Sequence, residues 1–216
     1  MSLFSGHDLV CVRGERRVFA DLAFDLGAGG ALLLRGPNGS GKSSLLRLMA
    51  GLLRPAAGAL TWDGAPIAAD AEAHRARLRY VGHLDALKPV LTAAENVAFW
   101  AGQAGAGEAD AARALAAFAL TPLAHVAGRL LSAGQRRRVA LARLIAAPGA
   151  LWLLDEPSVG LDGESLAHLE AAIAAHRAGG GRVALASHTP IELPGAHTLD
   201  LAGFAGADPH SGEAGW

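Results

Sequence analysis

The sequence predicts an α/β protein in which a glycine-rich loop follows a strand of a parallel sheet and a helical subdomain is inserted between its strands. Three observations point to this class. Residues 31–34 form a short apolar run that ends in a glycine-rich turn and passes directly into helical spacing over residues 43–50. Residues 151–154 and 183–186 are unbroken apolar runs, the pattern of strands covered on both faces of a parallel sheet, and they end in polar residues at Asp155 and Ser187. Between them, residues 93–100, 108–119 and 133–147 read as helices, the first two separated by a loose stretch over 102–107.

Along the chain, residues 9–12 and 22–26 read as strands that precede the loop. No internal repeat, heptad run or Ser/Gly/Pro-rich linker divides the 216 residues. A single domain over 1–201 is expected, its core formed by 1–91 and 148–201 and its helical subdomain by 92–147. The breaker-rich stretch 202–216 is expected to be a flexible tail, with Trp216 available for a docking contact.

Composition excludes several function classes. Charged residues make up 18% of the chain and the formal net charge is −1, so no broad field draws nucleic acid or anionic lipid. Cys11 is the only cysteine, which rules out an internal disulfide or a multi-cysteine metal cage and fits a reducing compartment. Residues 1–10 do not read as a secretory signal, and every long apolar stretch is interrupted before about 20 residues, the length a membrane span needs. Of the 19 basic side chains only Lys42 and Lys88 are lysines, which draws attention to the positions that keep one.

Lys42 lies in Gly36-Pro37-Asn38-Gly39-Ser40-Gly41-Lys42-Ser43, which fits the phosphate-loop pattern G-x-x-x-x-G-K-[ST] in its required place between strand and helix. The glycines let successive N–H groups turn inward on phosphate oxygens, and the helix start beyond them, including Ser44, adds its positive end. Lys42 would reach the β and γ phosphates of ATP, and the Ser43 hydroxyl would ligate Mg²⁺. Residues 151–157, LWLLDEP, end an apolar strand in two acids. Asp155 would hold Mg²⁺ through water and lie beside the phosphate loop if the two strands are neighbours, while Glu156 would act as general base on the attacking water.

Leu131-Ser132-Ala133-Gly134-Gln135 precedes an Arg-rich amphipathic helix and resembles the LSGGQ signature of the ABC ATPase family, with Ala133 in place of a glycine. Ser132 can cap that helix, whose free N–H groups can meet a γ phosphate held mainly by another subunit. The resemblance covers roughly residues 3–200 in the family's order: phosphate loop, Q-loop region, signature, acid strand, Gly160-Leu161-Asp162 as D-loop, and His188 as the switch histidine. It implies a RecA-like phosphate-loop core with an antiparallel β subdomain and an inserted helical subdomain. It also implies ATP and Mg²⁺ as ligands, and a second copy of the chain closing head to tail so that Ser132, Ala133, Gly134, Gln135 and Asp162 complete the partner's ATP site. Glu156, His188 and Lys42 carry the catalytic roles in this comparison.

Two positions depart from the family pattern. Where relatives stack an aromatic on adenine, spacing aligns Arg13, whose guanidinium can stack on a flat base; Phe19 is the alternative. Where relatives carry the Q-loop glutamine, Tyr80-Val81-Gly82-His83 places a histidine. Mg²⁺ prefers oxygen, so His83 would act on it only through water, or change charge near neutral pH. His83, the short length, the stretch 80–100 and the opening CVRGERR resemble the ATP-binding subunits of cytochrome c maturation. That resemblance implies integral membrane partners like CcmB with CcmC and CcmD, ATP-driven release of the haem-loaded chaperone CcmE, and a location on the cytoplasmic face of the inner membrane. Without a Cys-Pro or Cys-x-x-Cys-His motif, the chain itself is expected not to bind haem. The competing readings are the ATP-binding subunit of another ABC transporter and a soluble ATPase that drives assembly of a cytosolic complex. A nucleic-acid-acting relative is disfavoured by the near-neutral charge and the lack of heptads.

Overall fold

The computed structural model describes residues 2–204. Five parallel strands form the central sheet in the order β6 (Leu78–Val81), β7 (Leu151–Asp155), β8 (Arg182–Ala186), β3 (Ala31–Arg35) and β9 (His197–Asp200). A separate antiparallel sheet has the order β2 (Arg16–Gly27), β1 (Leu3–Arg13), β4 (Ala57–Trp62) and β5 (Ala65–Pro66). The two-period of a strand sorts the side chains of β7 between two cores. Leu151 and Leu153 point into a cluster shared with the antiparallel sheet and α1 (Lys42–Met49), and Trp152 and Leu154 into one shared with the helices on the opposite face. β8 alternates likewise, with Ala184 and Ala186 on the first face and Val183 and Leu185 on the second. This double burial is why both strands read as continuous apolar runs.

The helical insert comprises α3 (Ala93–Gln103), α4 (Glu108–Ala117) and α5 (Ala133–Ala146). Two of these starts are written in the sequence as capping boxes. Thr92 Oγ1 accepts from Glu95 N while Glu95 Oε2 accepts from Thr92 N, and Ser132 and Gln135 form the equivalent pair at α5. Buried Asn96 on α3 fastens the preceding loop: its Oδ1 accepts from Lys88 N, and its Nδ2 donates to the carbonyls of Lys88, Leu91 and Thr92.

The expected strands and helices are present with shifts at their ends, and several elements were not anticipated: β4, β5, α2 (Ala71–Arg77), β6, α6 (Gly163–Ala178) and β9. Of the stretch expected to be a tail, residues 202–204 instead belong to a 3-10 turn, Leu201–Phe204, whose Leu201 is fully buried and whose Phe204 packs on the core. Residues 205–216, including Trp216, lie outside the described residues. Among the described residues, no helix is long and apolar enough to cross a membrane.

Candidate nucleotide site

The site gathers at the carboxyl ends of the parallel strands, where loops of an open α/β sheet form a crevice. β3 ends at Arg35, the glycine-rich loop follows, and α1 begins at Lys42. Gly41 caps this helix at φ 103°, a left-handed backbone that an L side chain resists, and a Cβ there would lie 2.6 Å from Val18 Cγ1. Lys42 Nζ donates to the carbonyls of Gly36 and Pro37 at 2.8 and 3.0 Å, so the ammonium is held over the loop with one of its three N–H donors not engaged by them.

The condition that β3 and β7 be neighbours is not met, because β8 runs between them. Asp155 still reaches the loop. α1 packs over β7, and Ser43 Oγ donates to Asp155 Oδ1 at 3.0 Å. Asp155 is buried at 4% exposure, and the two oxygens that would serve a hard cation are adjacent. Among the described residues there is no cluster of three or more His, Cys, Asp or Glu, so the remaining ligands of a bound Mg²⁺ would be phosphate and water oxygens.

Glu156 is held from four directions. Its N–H donates to Ala186 O at 2.9 Å, its carbonyl accepts from Arg137 and from Val159 N, and its Oε2 accepts from His188 N at 3.1 Å. The His188 ring stands beside it, Nε2 lying 3.5 Å from Oε1. The Glu156 backbone adopts φ 50°, a left-handed conformation uncommon for a side-chain-bearing residue.

These groups line one cleft of about 440 Å³, bounded by Arg13, Arg16, Val18, Asn38, Gly39, Gly41, Lys42, Ser43, Ser44, Asp155, Glu156 and His188. Arg16, which the sequence reading passed over, pairs with Arg13 across the β1–β2 hairpin, and its signal was the arginine on each side of a Gly-Glu turn. Phe19 is fully buried in the core and does not line the cleft.

Other expected site residues lie elsewhere. Ser132, Ala133, Gly134 and Gln135 start α5 outside the cleft lining, and a Cβ on Gly134 would stand 2.8 Å from Gly160 O, so the signature turn packs closely on the segment before α6. Asp162 caps α6, its Oδ1 accepting from Ser165 N at 2.8 Å, and hydrogen bonding to Ser165 keeps its carboxyl below the ordinary range. His83 is exposed and does not line the cleft.

A wider groove of about 660 Å³ lies away from the phosphate loop, between α2 and the ends of α3 and α5. Its wall includes Arg143, whose guanidinium lies 5.0 Å from the Trp100 ring centroid and donates to Tyr80 O. Burial lowers the Arg143 pKa to about 10 and raises that of Tyr80.

The sheet order, the phosphate loop and the acids where β7 ends define a phosphate-loop ATPase. The chain belongs to the ABC transporter family, whose model matches residues 19–159, and it is an ABC-type ATPase. Within the family it is similar to proteins named cytochrome c biogenesis ATP-binding export protein CcmA. The one from Rhodospirillum rubrum is 65% identical over 204 residues, covering 94% of this chain and 88% of the relative. The one from Paramagnetospirillum magneticum is 56% identical over 211 residues, covering 96% and 97%. A solved structure of the ATP-binding subunit of an ABC transporter superposes with a TM-score of 0.79 at 27% identity, over 86% of this chain and 79% of that one.

Proposed function

We propose that this chain is the CcmA-type ATP-hydrolysing subunit of a membrane exporter that serves cytochrome c biogenesis. The observation that carries the proposal is the placement of Glu156 and His188 in one cleft with Lys42, Ser43 and Asp155, within a chain so similar to its CcmA relatives.

The phosphate loop and the start of α1 direct amides at the β and γ phosphates of ATP, and Lys42 turns its ammonium from the loop carbonyls toward them. Arg13 and Arg16 flank the base, and a guanidinium stacked on it replaces the aromatic ring of other family members. Ser43 and Asp155 would hold Mg²⁺, which when bound would neutralise charge on the phosphates. Glu156 accepts the proton of the attacking water, and His188 orients the Glu156 carboxylate and meets the γ phosphate. His83 acts on the attacking water or on the ion only through an intervening water.

The amides and hydroxyl at Ser132, Ala133, Gly134 and Gln135 lie apart from the chain's own cleft. This supports a head-to-tail pair of copies in which each signature closes the other's ATP site. Asp162, engaged in capping α6, contributes at the contact between copies. The helical insert and the loop around 83–89 face the integral membrane subunits, which resemble CcmB working with CcmC and CcmD. The chain sits peripherally on the cytoplasmic face of the inner membrane and does not itself bind haem. Closure on ATP and reopening after hydrolysis then drive release of the haem-loaded chaperone on the far side.

Complementation tests the proposal. Cells lacking the gene should regain haem-loaded c-type cytochromes with the wild-type chain and not with Glu156→Gln, and the wild-type chain should co-purify with multi-span membrane proteins. Full restoration by the Glu156 variant would remove ATP hydrolysis from the function.

A further inference from the structure

The geometry assigns Arg137 as a positioning residue that locks the hydrolytic turn after β7 to the loop Gly82–Asp85. Arg137 lies on the second turn of α5, is 4% exposed, and extends away from the signature toward the sheet. Its guanidinium uses five donor contacts on two separate segments. Nε donates to Pro157 O at 3.2 Å, and one terminal nitrogen donates to Asp155 O at 3.2 Å and Glu156 O at 2.8 Å. The other terminal nitrogen donates to Gly82 O at 3.0 Å and to Asp85 Oδ1 at 3.1 Å.

Only a planar fork with donors on three nitrogens can span these acceptors, and an ammonium is too compact to do so. Three of the acceptors are successive carbonyls, of Asp155, Glu156 and Pro157. They run through the residue whose φ of 50° an L side chain disfavours. A left-handed peptide turns its carbonyl out of the path of the strand, and that carbonyl needs a donor when water is excluded. Arg137, with Val159 N, supplies it, and this fixes the direction in which the Glu156 carboxylate leaves the backbone. Because the same guanidinium holds Gly82 and Asp85, a shift of that loop is transmitted to the base by one rigid group. Arg137 does not itself line the cleft and holds Asp155 and Glu156 there only through their backbone carbonyls, so its effect falls on turnover rather than on nucleotide affinity.

This inference rests on the proposal that Glu156 is the base, and the experiment separates the two. For Arg137→Lys and Arg137→Met, ATP affinity, melting temperature and kcat are measured beside Glu156→Gln. Misplacing the base by about 1 Å should lower kcat about 100-fold, with ATP affinity within about twofold of wild type, and Lys should not rescue. Asp85→Asn, which keeps an acceptor oxygen but removes the charge of the half-buried carboxylate, should lower kcat roughly two- to fivefold. Its effect should be largely lost in the double variant, since the two residues act through one contact. Should the Arg137 variants fail to fold, Asp85→Asn decides alone. Wild-type kcat in Asp85→Asn, or a parallel loss of affinity and kcat in folded Arg137 variants, overturns the assignment. Normal turnover in Glu156→Gln would instead overturn the underlying reading of the base.

Discussion

Glu156→Gln is expected to bind ATP with affinity near that of the wild type and to hydrolyse it about 100- to 10,000-fold more slowly, the range for loss of a positioned general base. The substitution is nearly isosteric, and its amide oxygen can take the place of the Glu156 oxygen that accepts from His188 N, so the turn after β7 should keep its shape. What disappears is the oxygen proposed to take the proton. Single-turnover hydrolysis under saturating ATP, beside equilibrium binding, separates the two effects. A variant with turnover within a few-fold of wild type would show that Glu156 does not carry the proton.

Lys42→Ala is the second large effect, and its signature differs. In the structure Lys42 Nζ is anchored to Gly36 O and Pro37 O, so the variant loses both the restraint on the loop and the cation proposed to meet two phosphates. Charge-assisted hydrogen bonds of this kind are worth about 1.5–3 kcal/mol, so ATP affinity should fall roughly 10- to 100-fold and turnover with it. The fold should survive, because Lys42 contributes little to either hydrophobic cluster. Equilibrium binding of ATP checks this, and unchanged affinity would remove Lys42 from the phosphate site. The two variants thus divide the cleft into a part that binds and a part that reacts.

Much of this site was legible in the sequence because its signals are local. The phosphate loop is eight consecutive residues, the acids close an apolar run, and Thr92 and Ser132 each announce a helix three residues before the partner of their box. What escaped was nonlocal or weakly patterned. α6 spans Gly163–Ala178 but is rich in alanine, and only Ser165, Leu169 and Ile173 are buried on it, too thin a stripe to stand out by period. β5 has two residues and β9 has no fully buried one. Asp155 was expected beside the phosphate loop only if β3 and β7 were neighbours; β8 separates them, and the helix crossing over β7 closes the distance instead. Arg137 could not be read at all, since an arginine on an Arg-rich amphipathic helix looks like a solvated one until the chain folds and carbonyls 18 to 55 positions away converge on it.

The direct measurement is a calorimetric titration of ATP with Mg²⁺ into the purified wild-type chain, with circular dichroism confirming that the sample is folded. Saturable heat that is strongly reduced in Lys42→Ala is the expected result. Heats no larger than dilution from folded wild-type protein would contradict the claim that these amides and this one ammonium form a triphosphate site.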